Sequence, residues 1–478
     1  MPPDANRPWL HFVGVAGSGM SALAQFHVGR GGRATGSDRA LDQGLHPEIR
    51  SALTAAGVAI VPQDGAALDS RCAAVISSTA VEAQIADLAR ARELGVPVQH
   101  RSELLAVYVA RHRTVAVTGT SGKSTTTAMI WTILAGCGHD PRLLTGGPLV
   151  ALQERGLLGN AWSGDPQVVV HPAVAERDDA LLVIEADESD GSLVRYFPWA
   201  GVVLNLARDH KEIAEIAAMF SEFRLHCSGP LIVAQDANLD FLRLGAVTCG
   251  LDEGADVQAR NLDLRPHGVA FTVDGVRFAV PWPGRHTVLN AIAAIAACRE
   301  VGVAVADMAA PLAGYRGVER RFISVGQRGG VEVIDDFAHN PDKLAAAIAT
   351  GRDRLAASAG RILAVFQPHG FGPTRFLRDD LVAALAAALQ PADILWLPEI
   401  FYAGGTVTRD LSSADLASDL VGHGRDARFC FDRGQLPGLI AAAARPGDLV
   451  LVMGARDPSL TGLSRAILAA LPAGTRDE

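Results

Sequence analysis

The stretch TVAVTGTSGKSTTT at residues 114–127 constrains the fold of this chain more than any other. Its first five residues predict a strand, Gly119 and Gly122 predict a turn, and the residues from Ser124 onward favour a helix. This order is typical of a loop that binds phosphate groups, because backbone N–H groups can turn inward and the start of the helix carries partial positive charge. The stretch therefore predicts a nucleoside-triphosphate site in an α/β domain.

The loop matches the short form G-T-x-G-K-[ST], because Val117 stands where the longer form has its first glycine. A glycine turn with one exposed lysine is the structural alternative. Lysine occurs only at Lys123, Lys211 and Lys343, and arginine supplies nearly all other positive charge. The use of lysine at position 123 indicates that its compact ammonium binds phosphate as a point charge, a role for which the planar guanidinium of arginine is less suited. The predicted nucleotide-binding loop comprises Gly119, Thr120, Ser121, Gly122, Lys123, Ser124 and Thr125, with the Ser124 hydroxyl on Mg²⁺.

Length and composition predict an ordinary globular protein of about three domains. The chain has 478 residues, of which 49% are hydrophobic and 20% charged, and a net charge of -9. That charge offers no general attraction to nucleic acid or to an anionic membrane, so neither is expected as a partner. The six cysteines show no spacing typical of zinc sites or disulfides. No leader sequence or membrane-spanning run is recognisable, and we therefore expect a cytoplasmic protein.

The first segment predicts a second nucleotide-binding turn. A strand at residues 10–15 runs into GVAGSGMS at residues 14–21, and Asp38 ends the next predicted strand. A dinucleotide or a nucleotide-sugar diphosphate would lie at the start of the helix, although a tight strand-to-helix connection uses glycines for packing alone. Further strand-like runs at residues 58–61, 73–80 and 96–101 predict a small parallel sheet.

The middle segment carries the acidic run LLVIEADESD at residues 181–190. A buried strand that ends in four carboxylates is electrostatically costly unless cations lie there, because like charges oppose each other's ionisation. Mg²⁺ would remove that cost. An acidic cap on the next helix explains Asp190 or Ser189, but not Glu185 at the end of the strand.

Two further polar residues belong to this segment. His210 follows the predicted strand at residues 201–206, so that Lys123, Glu185 and His210 would meet at the carboxyl edge of one parallel sheet, where such folds bind ligands. His210 is then a metal or phosphate ligand, with an ordinary surface histidine as the alternative. Asn290 begins an alanine-rich predicted helix, either as its N-terminal hydrogen-bonding residue or as an adenine contact.

The last segment again alternates strands and helices. Strand-like runs lie at residues 331–336, 361–366, 393–397 and 448–453, and polar clusters follow three of them at residues 335–341, 367–375 and 454–458. A third domain without its own phosphate loop, but with charged strand ends, is expected to close over the nucleotide.

Taken together, these motifs resemble the Mur ligase family, and most closely its alanine-adding branch. The ordered matches are HFVGVAGSGMS from His11, GTSGKSTTT from Gly119, GNA from Gly159, EADESD from Glu185, DH from Asp209, DDFAHNP from Asp335 and FQPH from Phe366. The resemblance implies three α/β domains: a Rossmann-like domain for the UDP substrate at residues 1–108, a mostly parallel P-loop ATPase domain at 109–315, and a Rossmann-like amino-acid-binding domain at 316–478.

The resemblance also implies ATP and Mg²⁺ as cofactors and small molecules as substrates. The substrate carboxylate would attack the γ-phosphate of ATP, and an amine would displace phosphate from the acyl phosphate to form an amide in peptidoglycan synthesis. Lys123, Glu185 and His210 would be catalytic, with Ser124, Glu185 and His210 on the metal. Asn290, Arg320, Asp336 and His339 would contact ATP. The substrates would contact Gly14, Gly17, Ser18, Gly19, Met20, Asp38, His369 and Arg375.

Departures from the family pattern leave the amine open. The family's G-x-H-N reads GRHT from Gly284, its D-H-M-D reads DHKE from Asp209, and the arginine expected after His369 is Gly370, with Arg375 arriving only later. The incoming amine is L-alanine, another amino acid or a murein tripeptide. From other classes, a P-loop protein without ligase chemistry leaves Glu185 unexplained, and a nicotinamide dehydrogenase leaves the second nucleotide site unexplained.

Overall fold

The computed structural model describes residues 9–79, 81–82, 84–165, 178–208, 211–355, 360–402 and 408–473. The chain groups into two compact units. The first comprises residues 1–260, 272–278 and 289–318, and the second comprises residues 261–271, 279–288 and 319–478. Each unit is an α/β assembly built on mostly parallel sheets, as the sequence predicts. None of the described helices is both long and apolar enough to cross a membrane.

The first sheet has five parallel strands in the order β3-β2-β1-β4-β5. Neighbouring residues of one strand enter different cores, since Ile76 packs in one apolar cluster and Val75 in another. Both faces of the sheet are therefore covered, which is the usual state of a parallel sheet. Its strands are β1 Trp9–Val13, β2 Arg33–Ser37, β3 Ala59–Ile60, β4 Cys72–Ser77 and β5 Val98–His100, and its helices are α1 Ser18–Gly29, α2 Arg39–Asp42, α3 Pro47–Ala55, α4 Ala86–Leu94 and α5 Arg101–Arg111.

The second sheet has eight strands in the order β13-β12-β11-β10-β6-β9-β7-β8. Among the described residues of this sheet, β7 and β8 pair in antiparallel fashion and the other neighbouring strands are parallel. The strands are β6 His112–Thr118, β7 Arg142–Leu144, β8 Ala161–Trp162, β9 Asp178–Glu185, β10 Ala200–Val203, β11 Leu231–Ala234, β12 Val247–Gly250 and β13 Val257–Gln258. The helices are α6 Lys123–Gly136, α7 Val150–Gln153, α8 Ile213–His226, α9 Arg285–Val301 and α10 Val305–Ala313.

A separate three-stranded sheet follows, with the order β14-β15-β16. Its strands are β14 Arg260–Arg265, β15 Gly268–Val273 and β16 Val276–Val280.

The last sheet lies in the second unit and has the order β17-β18-β22-β19-β20-β21. The edge strand β17 is antiparallel to β18, and the other pairs are parallel. The strands are β17 Ile323–Arg328, β18 Val331–Asp336, β19 Ile362–Gln367, β20 Ile394–Pro398, β21 Asp426–Cys430 and β22 Leu449–Gly454. The helices are α11 Pro341–Arg354, α12 Phe371–Phe376, α13 Arg378–Ala388, α14 Ser413–Gly422, α15 Leu436–Ala443 and α16 Leu460–Ala470.

The four strands predicted for the last segment are all present, whereas β17 and β21 were not predicted. The domain ranges 1–108, 109–315 and 316–478 stay a prediction, and residue 108 lies within α5.

Candidate functional site

The phosphate-loop stretch forms the predicted strand, turn and helix. β6 ends at Thr118, and α6 begins at Lys123. Gly119 and Gly122 have φ values of +134° and +82°, a region that side chains rarely adopt, so the turn requires glycine at both positions. Because β6 lies between β9 and β10, its loop opens at the carboxyl edge of three adjacent parallel strands.

Asn205, just after β10, holds the middle of this loop. Its Oδ1 accepts hydrogen bonds from the Ser121 N–H at 2.8 Å and the Thr120 hydroxyl at 2.9 Å. Its Nδ2 donates to the Ser121 carbonyl at 3.1 Å. These three hydrogen bonds tie the loop to the segment that follows β10. Thr125 lies partly exposed in the first turn of α6.

Lys123 is enclosed by the acidic segment after β9. Its Nζ donates to the Gly119 carbonyl at 2.9 Å and to Glu188 Oε2 at 2.7 Å, and lies 3.5 Å from Asp187 Oδ1. Burial alone lowers the pKa of Lys123, but the carboxylates of Glu188, Asp187 and Glu185 outweigh it and hold that pKa above its ordinary value. Lys123 is therefore a charged ammonium at any physiological pH.

Glu185 ends β9 beside the start of α6. The Ser124 hydroxyl donates to its carboxylate at 2.9 Å, the Thr145 hydroxyl at 2.8 Å and the Gly146 N–H at 2.8 Å. The register of β6 and β9 brings Glu185 close to Ser124, since Glu185 pairs with Val117 shortly before the phosphate loop. The predicted proximity of the lysine loop and the acidic strand end is thus present in the structure.

Ser124 and Glu185 suit a magnesium ion by their chemistry. Mg²⁺ takes oxygen ligands and is usually held by one or two carboxylates together with water and substrate phosphates, not by an all-protein cage. The described residues contain no group of three or more His, Cys, Asp or Glu side chains that could hold a metal ion. His210, the third predicted ligand, lies outside the described residues.

The position of Asn290 contradicts one of its two predicted roles, that of the N-terminal residue of a helix. Helix α9 begins at Arg285, so Asn290 is inside the helix and cannot be its N-terminal hydrogen-bonding residue. The sequence predicted a helix only from Asn290, but the Thr287 hydroxyl donates back to the Pro283 carbonyl at 2.7 Å and so supports an earlier first turn. Asn290 instead reaches the phosphate loop, where its Oδ1 would be 2.4 Å from a Cβ at Gly122.

The glycine turn of the first sheet joins β1 to α1. Asp38 Oδ2 accepts a hydrogen bond from the Ala16 N–H at 3.1 Å, and Oδ1 accepts one from the Ala40 N–H at 2.8 Å.

The predicted glycines lie in the turn itself. Gly14 N–H donates to the Ser37 carbonyl at 2.8 Å, and Gly17 precedes the first residue of α1. Ser18, Gly19 and Met20 form the first turn of that helix, with Met20 buried in the core.

Arg101 lies beside the same turn and was not predicted. Its Nη1 would be 3.2 Å from a Cβ at Gly19, and its Nη2 donates to Asp190 Oδ2 at 2.7 Å. The acidic segment that encloses Lys123 therefore also holds a guanidinium at the turn of α1. No signal in the sequence marked Arg101, because its neighbours are distant along the chain.

In the second unit, Arg320 and Asp336 bind backbone groups. Arg320 has a φ of +55° and donates to the Gly454 carbonyl at 2.8 Å. Asp336 accepts hydrogen bonds from the Phe322 and Ala338 N–H groups, each at 2.7 Å. Burial raises the pKa of Asp336 to about 6, against the lowering effects of Arg321 and of those two N–H groups.

His339 and His369 lie edge to face, with ring centroids 5.2 Å apart. Burial holds the pKa of His339 well below its ordinary range, with Lys343 and His369 adding to the effect. Arg375 lies in α12, half-exposed, and forms an ion pair with Asp410. Its side chain also donates to the Thr408 carbonyl at 3.2 Å.

Three family models match the chain: Mur ligase family, catalytic domain, over residues 10–113; Mur ligase middle domain over residues 117–298; and Mur ligase, glutamate ligase domain, over residues 320–456. The chain is 36% identical to a UDP-N-acetylmuramate–L-alanine ligase of Streptomyces avermitilis over 485 residues, which cover 97% of each chain. It is 34% identical to the Mycobacterium marinum protein of the same name, with 97% of this chain and 94% of the relative covered.

Two solved structures share the fold. The UDP-N-acetylmuramate-alanine ligase of Thermotoga maritima has a TM-score of 0.76 at 24% identity and covers 97% of this chain and 99% of its own. A murein peptide ligase from Psychrobacter arcticus has a TM-score of 0.68 at 23% identity, with coverages of 97% and 98%.

Proposed function

The chain belongs to the Mur ligase family of ATP-dependent ligases, and from that premise we propose that it joins L-alanine to the carboxylate of UDP-N-acetylmuramate in peptidoglycan precursor synthesis. The observation that carries the proposal is the meeting of Lys123 and Ser124 with the carboxylates of Glu188 and Glu185 at one sheet edge. The names of the relatives support the choice of substrates. Since ATP is the energy source, we place the enzyme in the cytoplasm.

The reaction has two steps. A carboxylate oxygen of the substrate attacks the γ-phosphorus of ATP, and the bond from that phosphorus to the β,γ-bridging oxygen breaks. ADP is the leaving group, and the substrate becomes an acyl phosphate. The neutral amine then attacks the acyl carbon, phosphate leaves, and the amine loses a proton as the amide forms. Such phosphoryl transfers depend mainly on alignment and charge stabilisation. The protein must therefore supply fixed donors and fixed positive charge.

The loop residues 119–125 supply those donors, and Lys123 supplies the positive charge that binds the β- and γ-phosphates. Ser124, Glu185 and His210 are proposed to hold Mg²⁺, which neutralises phosphate charge when bound. Asn205 keeps the loop in place. Asn290, Arg320, Asp336 and His339 are proposed ATP contacts, as the family resemblance implies.

The turn of α1 is the proposed site of the UDP diphosphate, because the first N–H groups of a helix bind anions. Gly14, Gly17, Ser18, Gly19, Met20 and Asp38 form that turn or its support. His369 and Arg375 are proposed to recognise the amine substrate. To do so, Arg375 must exchange its ion pair with Asp410 for the substrate's carboxylate.

That ion pair favours one alternative amine. Gly370 stands where the family pattern has an arginine, and the nearest guanidinium along the chain, Arg375, is already paired. A site with weakened recognition of a free amino acid's carboxylate fits a longer amine, such as the murein tripeptide. The second candidate is therefore a ligase that recycles this peptide.

A phosphate-release screen tests both candidates. The enzyme is incubated with ATP, Mg²⁺ and UDP-N-acetylmuramate, together with each of the twenty amino acids or the tripeptide. Release with L-alanine supports the main proposal, and release with the tripeptide alone supports the recycling ligase. The variant Lys123→Ala should release no phosphate with any amine, because the charge on the transferred group is lost. Undiminished release by this variant would contradict the nucleotide assignment.

A further inference from the structure

Asn160 is a buried polar residue that the proposed reaction does not use. It lies in the connection between β7 and β8, and only 3% of its surface is exposed. Its Nδ2 donates to the Ser18 carbonyl and to the Ser21 hydroxyl, both at 2.8 Å, and its Oδ1 accepts from Gln25 Nε2 at 2.9 Å. All these partners lie on α1, so one amide from the connection before β8 holds the first two turns of the helix that follows β1.

The backbone of Asn160 is fixed from the nucleotide side. The Thr145 N–H donates to the Asn160 carbonyl at 3.0 Å. The Thr145 hydroxyl donates to Glu185 Oε2 at 2.8 Å, and Glu185 also accepts from Ser124. A continuous series of hydrogen bonds therefore runs from the start of α6, through Glu185 and Thr145, to Asn160 and the start of α1.

We infer that Asn160 is a positioning residue for the UDP-sugar substrate, an inference that rests on the proposed function. Asn160 fixes the direction of the first N–H groups of α1. It also fixes the position of these groups relative to Glu185 and the phosphate loop. The substrate must place its diphosphate at α1 and its carboxylate in line with the γ-phosphate of ATP. Errors of about 1 Å in such alignment cost on the order of a hundredfold in rate, so a rigid connection between the two turns serves this reaction.

The substitution Asn160→Asp tests the role with almost no change of shape. It replaces the donating amide by an acceptor that faces the Ser18 carbonyl. We expect the Kd for UDP-N-acetylmuramate, measured by calorimetry without ATP, to rise at least tenfold. The Kd for a non-hydrolysable ATP analogue should change less than twofold. A selective loss of this kind separates positioning from general damage to the fold.

Two further variants keep the test decisive. Thr114→Val removes a buried hydroxyl that donates to the Val109 carbonyl at 2.9 Å, and it should lower the thermal midpoint with both Kd values unchanged. Gln25→Ala changes a partly exposed side chain, so it should fold even where Asn160→Asp does not. It should raise the Kd for the UDP-sugar about threefold.

The outcomes separate this inference from the proposed function. A wild-type enzyme that fails to bind UDP-N-acetylmuramate would overturn both. A wild-type enzyme that binds and ligates this substrate, with unchanged Kd in a folded Asn160→Asp or in Gln25→Ala, would overturn the inference alone. Equal increases in both Kd values would also overturn it, because the role would then be merely structural.

Discussion

At the scale of single residues, the carboxylates at and after the end of β9 make two kinds of contact. Glu188 and Asp187 form ion pairs with Lys123, whereas Glu185 accepts hydrogen bonds from Ser124, Thr145 and Gly146. Glu188 is 3% exposed, and burial raises its pKa against the lowering effect of Lys123. Together with the ion pair between Arg101 and Asp190, these contacts offset the electrostatic cost of four carboxylates at a buried strand end, a cost for which the sequence predicts Mg²⁺.

Glu185→Gln should weaken the use of Mg²⁺ without unfolding the chain. The amide keeps the shape of the carboxylate but loses its charge and turns one acceptor into a donor that faces other donors. We expect the Mg²⁺ concentration at half-maximal rate to rise at least tenfold, the size typical of losses around a metal site. The matched control is Glu103→Gln, at an exposed ion pair with Arg195, which should leave that concentration unchanged. An unaltered magnesium requirement in Glu185→Gln would remove Glu185 from the metal site.

At the scale of elements, the phosphate loop depends on backbone geometry that the sequence displays directly. Gly119 and Gly122 revealed the turn because only glycine adopts its φ values without strain. The contacts of Asn205, Thr145 and Asn160 gave no such signal, since each joins segments far apart along the chain. Strand β17 was missed because Gly326 interrupts it at a register shift, and β21 because its DARFC sequence lacks a clear alternation.

Gly122→Ala separates steric conflict from backbone strain. Its Cβ would lie 2.4 Å from Asn290 Oδ1, whereas Gly138, beyond the other end of α6, has nearly the same φ and open space around it. Both alanine variants incur about 1–2 kcal/mol of strain. We expect Gly122→Ala to lose at least tenfold in affinity for ATP and Gly138→Ala to keep it. Equal affinities in the two variants would show that the contact with Asn290 does not shape the loop.

The first turn of α9 should make stability depend on pH. Burial lowers the pKa of His286 to about 4, below its ordinary value of 6.5. Because the unfolded chain takes up this proton below pH 6.5 and the folded chain does so only near pH 4, stability is full above pH 6.5 and falls as pH decreases between these values. The thermal midpoint of His286→Gln should therefore drop less than that of the wild type between pH 7 and pH 5. Identical drops would show that His286 contributes nothing.

At the scale of the whole molecule, sequence reasoning gave the α/β class with mostly parallel sheets, because strands such as β6 and β9 contain continuous apolar runs and end near polar groups. It did not predict β7, β8 or β11 to β13, the other strands of the second sheet. It placed Lys123, Ser124 and Glu185 at one sheet edge, where the structure has them. One of its two alternatives for Asn290, the N-terminal residue of the helix, was wrong because α9 begins at Arg285. It could not identify the amine, because specificity depends on how Gly370, Arg375 and Asp410 are arranged in space, and not on residue type alone.

The most direct test of the central claim, activation of a carboxylate by ATP, follows an oxygen atom. UDP-N-acetylmuramate labelled with ¹⁸O in its carboxylate is incubated with enzyme, ATP, Mg²⁺ and the amine that the screen selects, and the released phosphate is analysed by mass spectrometry. An acyl phosphate transfers one carboxylate oxygen to phosphate, so each phosphate should carry a single ¹⁸O. Unlabelled phosphate would mean that water attacks ATP, and the chain would then be a nucleotide hydrolase and not a ligase.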